Sequence, residues 1–192
     1  MSTDWPVALR GVTESIVSTL GPNDRWNLAA LGLHAGDSVT ARTWGRTRTR
    51  GNFERRGEGY IVFPVDPVLF VEAALGIRET DTPIPEDCDA WTAVEVKRLD
   101  TGTSEGTEWV EWELVPTESR IERECVRTIN RGYNAVIEAT VVASRLDVDA
   151  YDTDSLLDRL AYLESVTRRC GGDRDQVAFD RLTELVDHPE TV

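Results

Sequence analysis

The sequence predicts a mainly antiparallel β protein, a barrel with peripheral helices, followed by a C-terminal helical hairpin. The first half alternates short β-rich runs with clusters of turn residues. Two more β-like runs follow in the middle of the chain, and the tail carries two apolar stripes at helical spacing on either side of a Gly-Gly break. Strands grouped in this way fit an antiparallel barrel better than alternating βαβ units.

Thr13 to Leu20 (TESIVSTL) is rich in β-formers, and Gly21-Pro22-Asn23-Asp24 is turn chemistry, so Arg25 to Leu33 returns as the second arm of a hairpin. His34-Ala35-Gly36-Asp37 turns the chain again before Ser38 to Trp44, where Val39, Ala41 and Thr43 alternate with Ser38, Thr40 and Arg42. A short helix is expected over Thr47 to Arg56, capped by Thr47 or Thr49 and ended by Gly57-Glu58-Gly59, with an apolar strand from Tyr60 to Val65 after it. Asp66-Pro67 is an N-cap and a helix-opening proline, heading a short apolar helix through Leu75. Beyond the Pro- and acid-rich loop Glu79 to Asp89, the strands Trp91 to Leu99 and Glu108 to Val115 are joined by a turn over Asp100 to Gly106. In WVEWELV, Trp109 and Val110 fall on opposite faces, so one face is only partly buried.

Thr117 to Thr128 has no clear period. Asn130 to Leu146 favours helix, with Ala135, Ala139, Val142 and Ala143 on one face, although VIEATVV also suits a strand. In the tail, Asp154 is the expected cap of a helix carrying Leu156, Leu157, Leu160, Leu163 and Val166, and Val177, Leu182, Leu185 and Val186 mark a second helix. The expected organisation is a barrel domain over 1–128 and a helical extension over 129–192, packed on the barrel or on a dimer partner.

The composition bounds the function. The chain has 192 residues and a net charge of −14, with 35 acids against 21 basic residues, of which Lys97 is the single lysine. Dense carboxylates with few amides suit a salt-loaded cytoplasm, and an extreme halophile is the expected source. Cys88, Cys125 and Cys170 are odd in number, far apart and without metal-like spacing to His34 or His188, so reduced thiols and no structural metal are expected. The chain has no apolar stretch of membrane-spanning length, and its start lacks a basic-then-apolar leader, which predicts a cytoplasmic protein.

Against this acidic background, Arg42 to Arg56 (RTWGRTRTRGNFERR) holds six arginines and one acid, a local charge of +5 that leaves −19 on the rest. Guanidinium forks interleaved with Thr hydroxyls and Gly are chemistry that grips phosphate. In an extended segment Arg46, Arg48 and Arg50 share a face; in a helix Arg46 pairs with Arg50, and Thr47 or Thr49 offers hydroxyl and backbone N–H at the helix start. Pairing of these arginines with surface carboxylates is the structural alternative. In molar salt the Debye length is about 3 Å, so the island must act by direct contact, which disfavours non-specific binding to DNA.

RWNLAALGL, followed by ARTWGRTRTRGNF and later by INRGYNAVIEATVVASRL, resembles a little-characterised archaeal family of the FMN-binding split-barrel, flavin-reductase-like superfamily. The resemblance implies a six-stranded antiparallel Greek-key split β-barrel that forms a homodimer and binds FMN near the subunit interface. Carried over by position, Asn27 and the backbone of Leu28, Ala29 and Ala30 would border the isoalloxazine. Arg42, Thr47, Arg48, Thr49 and Asn52 would hold the phosphate and ribityl chain. Outside that set, Asn130 and Arg131 either reach the flavin across a dimer interface or form a helix cap with a surface ion pair. Where relatives often have Pro this chain has Ala30, which adds a backbone N–H.

The implied activity is flavin-dependent oxidoreduction, with hydride passed to a small, unidentified acceptor; the alternative is a non-catalytic FMN carrier or sensor. An RNA-binding barrel is a more distant option, lacking the clustered exposed aromatics such a surface needs. Among other candidates, His34 is a proton donor or a turn residue, Cys170 is packing, Glu138 is a carboxylate paired with Arg131 or Arg145, and Trp26 or Trp44 stacks beside the flavin or packs in the core.

Overall fold

The computed structural model describes residues 4–104, 106–146 and 148–189; the first three residues and Glu105 of the expected turn lie outside them. Its strands are β1 (Val12–Leu20), β2 (Trp26–His34), β3 (Thr40–Trp44), β4 (Glu58–Pro64), β5 (Arg78–Thr80), β6 (Cys88–Ser104) and β7 (Thr107–Ile121). Its helices are α1 (Arg48–Arg56), α2 (Pro67–Leu75), α3 (Arg131–Ala143), α4 (Thr153–Cys170) and α5 (Asp173–Asp187). They belong to two compact units, 1–65 with 78–124, and 66–77 with 125–192.

In the first unit, β1 and β2 form the expected hairpin, in register from Val12↔His34 to Leu20↔Trp26. The antiparallel order β1-β4-β6-β7-β3-β2 closes through the β1–β2 pair into a six-stranded barrel, with β5 added on β2. Spatially β4 lies beside β1, which continues through β2 to β3, the arrangement of a Greek key. Closure removes the exposed edges that an open six-stranded sheet would otherwise present. The interior is filled by Val17, Leu33, Ala41, Ile61, Val110 and Leu114, and α1 contributes Phe53, whose ring meets Trp112 edge-on at 5.4 Å.

Strands β6 and β7 outrun their sequence limits. Their register continues from Ala90↔Ile121 to Ser104↔Thr107, so most of the expected turn and the ambiguous start of Thr117–Thr128 are ladder. Register shifts after Ala93 and between Arg98 and Asp100 break the period-two pattern, which is why it was not legible there. At the second shift Leu99 has no cross-strand partner and stands half exposed. Val110 is buried while Trp109 is partly exposed, as the alternation requires.

In the second unit, α3 is helical throughout the run that also suited a strand, burying Ala135, Val136, Ala139 and Val142 with Phe179 and Leu182 of α5. Helix α2, expected within the first domain, contributes Val71 to this core instead. Asp66 caps α2 by accepting from Val68 N and also receives Arg174 of α5. Three further expectations are corrected. The cap of α4 is Asp152 rather than Asp154, because Asp152 receives both the N–H and the hydroxyl of Ser155. Leu157 and Val177 are half exposed, off the buried stripes. Glu138 pairs with Arg159 across α3 and α4 rather than with Arg131 or Arg145, and the Arg145 guanidinium lies over the Tyr151 ring at 5.3 Å. Among the described residues, no helix is long and apolar enough to cross a membrane, and no cluster of His, Cys, Asp and Glu is placed to hold a metal.

Candidate functional site

The barrel is not evenly zipped. On the side of β2 away from β1, β3 pairs only at Leu33↔Ala41 and His34↔Thr40, and β5 pairs only at Trp26↔Thr80, Asn27↔Glu79 and Leu28↔Arg78. Between them, residues 29–32 have a ladder partner only in β1. An antiparallel strand turns alternate N–H and C=O groups to each side, so this stretch is a gap in the ladder whose far-side backbone donors and acceptors have no strand partner. The other wall of the gap diverges because β3 turns to β7, pairing Arg42↔Glu111 and Trp44↔Trp109. The chain leaves Trp44 through Gly45, which has a positive φ of 63°, and enters α1.

Helix α1 begins where the sequence places it. Thr47 Oγ1 accepts from Arg50 N (3.2 Å), and Thr47 O accepts from Gly51 N (3.1 Å). The N–H groups of Arg48 and Thr49 in the first turn have no intrahelical acceptor. The first turn contains no acid, and the last turn contains Arg55 and Arg56. Basic residues suit a helix C-terminus; arginines at the N-terminal end oppose the helix dipole unless an anion lies among them.

The six arginines divide by partner. Arg42 Nε donates to Glu111 (3.2 Å), and its guanidinium lies 4.4 Å over the ring of Trp109, which occupies the space a side chain at Gly102 would need. Arg50 donates to Glu54 (3.1 Å), Glu108 (3.4 Å) and Gly45 O (3.1 Å), tying the entry of α1 to the start of β7; the two carboxylates raise its pKa, the Glu54 hydrogen bond most. Arg55 donates to Asn52 Oδ1 (3.0 Å). Arg46 and Arg56 are exposed with no ion pair among the described residues. Arg48, at the first helical position, donates to Glu79 Oε1 at 2.9 Å. Surface pairing therefore accounts for Arg42, Arg48 and Arg50, and Arg46 precedes the first residue of α1, so it does not share a helical face with Arg50.

Thr49 and Asn52 are buried. The Asn52 amide donates to Thr19 Oγ1 (2.9 Å), so with Arg55 on its oxygen it ties α1 to β1. Asn27 is also buried and sits opposite Thr19 in the hairpin register. Ala29 and Ala30 lie in the stretch of β2 that pairs with β1 alone, whereas Leu28 is buried and zipped to Arg78 of β5. These residues, with Thr47, Arg48 and Thr49, belong to the first unit; Asn130 and Arg131 belong to the second, where Asn130 Oδ1 caps α3 by accepting from Gly132 N (2.8 Å) and Tyr133 N (3.1 Å). His34 is exposed at the last position of β2. Trp26 meets Tyr60 edge-on at 5.4 Å, and Tyr60 meets Trp91 at 5.9 Å, an aromatic row running across β2, β4 and β6.

Sequence reasoning missed Glu79. It lies on a strand of three residues, and 31 positions separate it from Arg48, so no local pattern marks it.

The model of the N-terminal domain of DUF447, described as a protein of unknown function, matches residues 13–123, and the model of the family's C-terminal part matches residues 130–184. Among solved structures, the chain is similar to the FMN-bound protein MM1853 from Methanosarcina mazei, itself assigned to DUF447, at 24% identity and a TM-score of 0.74, covering 92% of this chain and 95% of that one. The likeness is one of fold, and the closed six-stranded barrel with C-terminal helices is the split-barrel architecture expected from the sequence. A looser alignment is to the flavin reductase HpaC in complex with NADP+ (16% identity, TM-score 0.38, 60% of this chain and 81% of that one). Another reaches an FMN-binding protein from Thermus thermophilus with bound p-hydroxybenzaldehyde (14% identity, TM-score 0.38, 64% and 81%).

Proposed function

Since this chain belongs to the DUF447 family, we propose that it binds FMN in the gap beside β2, with the phosphate against the N-terminus of α1, and serves as a flavin-dependent oxidoreductase. The observation that carries this is the conjunction of an unzipped stretch of β2 with a helix start free of acids and furnished with Thr47, Arg48 and Thr49. Support also comes from MM1853, a protein of the same family that is FMN-bound.

The residues present fit such a group. A phosphate dianion needs several fixed donors, and the first turn of α1 supplies two backbone N–H groups, the Arg48 guanidinium and threonine hydroxyls. The backbone of the unzipped stretch at Ala29 and Ala30 would meet the polar edge of the ring, with Leu28, zipped to Arg78, at its end, and Asn27 and Asn52 would stiffen the walls from inside. Arg42, held by Glu111 and Trp109, would border the ribityl side. When bound, FMN supplies hydride or electron transfer to a small acceptor; the chain's part is to bind it, orient it and leave one face open. A cytoplasmic homodimer, with Asn130 and Arg131 reaching a partner's cofactor, belongs to the same proposal.

The test is the visible spectrum of protein purified in high salt, for wild type and Arg48→Ala. The expected result is a flavin spectrum in the wild type that is lost or strongly reduced in the variant. A wild type that is colourless and takes up no added FMN overturns the proposal. Reduction of the bound flavin by NADH, NADPH or a deazaflavin, with reoxidation by an acceptor, marks an enzyme; absence of both marks a carrier.

A further inference from the structure

Among the described residues, the carboxylate bonded to Arg48 is that of Glu79, and it is held in place on several sides. Asn23 Nδ2 donates to both Glu79 oxygens, at 3.3 and 3.2 Å. Arg25 Nη2 donates to the Glu79 carbonyl (3.4 Å), its Nη1 pairs with Asp81 (2.7 Å), and Glu79 is locked in register opposite Asn27. A surface carboxylate on a free side chain moves aside at little cost. Glu79 is instead fixed by its strand and by Asn23, with its Oε1 on the guanidinium of Arg48.

We infer that Glu79 is the resident counter-ion of Arg48, and that a phosphomonoester must take Arg48 from it in order to bind. This rests on the FMN reading above and deepens it. In the free protein the carboxylate neutralises a cation that would otherwise oppose the dipole of α1 and presets its position. When a phosphate carrying close to two negative charges arrives, Arg48 exchanges partners while Glu79 stays tethered beside it. Lost pairing and residual repulsion both weaken the complex and speed release of the phosphate. Glu79 thus sets how readily the cofactor exchanges, and it acts through the phosphate alone, since a flavin without phosphate does not compete for Arg48.

The experiment titrates wild type, Glu79→Gln and Arg48→Ala with FMN and with riboflavin at one fixed ionic strength. Binding is followed by flavin fluorescence and release by dilution. Glutamine keeps the shape and an oxygen for Arg48 but removes the charge. Glu79→Gln is expected to bind FMN roughly fivefold tighter, the equivalent of a surface ion pair, with slower release and with riboflavin affinity unchanged within about twofold. Unchanged or weaker FMN binding in Glu79→Gln, with the wild type still preferring FMN to riboflavin, overturns the inference and makes Glu79 a positioning residue. Wild type that binds neither flavin, or binds both equally and is indifferent to Arg48→Ala, overturns the FMN or phosphate reading itself. Should Glu79→Gln fail to fold, Glu79→Asp, which withdraws the carboxylate by one methylene, is expected to shift FMN affinity in the same direction by less.

Discussion

Arg48 and Arg50 stand two positions apart and do different work. Arg50 is spent on Glu54, Glu108 and Gly45 O, so Arg50→Ala should lower the thermal midpoint. Arg48 makes one exchangeable bond at a helix start, and Arg48→Ala should leave the midpoint nearly unchanged while abolishing FMN binding. Calorimetry and flavin titration on both variants separate the two roles. The cysteines divide as sharply. Burial, chiefly, pushes the Cys88 thiol up to about 11, while Cys125 is exposed. Iodoacetamide at pH 8 followed by peptide mass spectrometry should label Cys125 and spare Cys88 in the folded protein. The Cys88 pKa is raised on folding, so between the ordinary thiol value and about 11 the unfolded chain releases a proton that the folded one keeps. Its contribution to stability is full below that window and is lost as pH rises through it. Cys88→Ser should flatten the alkaline fall in stability.

At the scale of elements, α1 has both of its ends written in the sequence. Thr47 caps it, and Gly57 closes it in the left-handed region with φ 68°, its N–H returning to Phe53 O at 2.9 Å. Thr47→Ala removes the cap acceptor and should cost about 1 kcal/mol, with weaker FMN binding as the first turn frays; Thr47→Ser should restore both. In the helical unit, the starts and ends of elements meet backbone to backbone. A Cβ on Gly132 would lie 2.2 Å from the Cα of Gly171, where no side chain can give way, so Gly132→Ala must separate the start of α3 from the end of α4. A loss of roughly 2 kcal/mol or more is expected in thermal or urea unfolding. Nothing in the sequence around Gly132 announces this, because the neighbour that forbids a methyl group is 39 positions away. Asp152 shows a milder form of the same problem. Asp152 and Asp154 are both competent caps by type, and the structure selects the one whose carboxylate meets the N–H and hydroxyl of Ser155, lowering its pKa.

For the whole molecule, a net charge of −14 on 192 residues sets a self-repulsion that salt screens. The unfolding midpoint should therefore rise on going from dilute buffer to molar KCl, and a flat or falling curve would contradict this. Bound FMN adds a second term. At a free concentration 100 times its dissociation constant it should stabilise the protein by about 2.7 kcal/mol. Hydrogen exchange should place the new protection on β2 and the first turn of α1, the elements that carry the proposed contacts.

Local chemistry in the sequence was enough to set the elements of the barrel, the helix carrying the arginine island with its Thr47 cap, the helical character of the tail and the resemblance that led to FMN. Turn residues, caps and period-two alternation act within a few positions, so one chain segment carries the whole signal. Where α2 packs, how far β6 and β7 run, which carboxylate each arginine meets and that Asn52 ties α1 to Thr19 were decided only by tertiary structure. Each depends on partners brought together from distant parts of the chain. The gap beside β2 is of this second kind: Ala29 to Gly32 looks like any paired strand until β3 leaves for β7 and β5 stops short, and that divergence leaves the side of the stretch away from β1 without a strand partner.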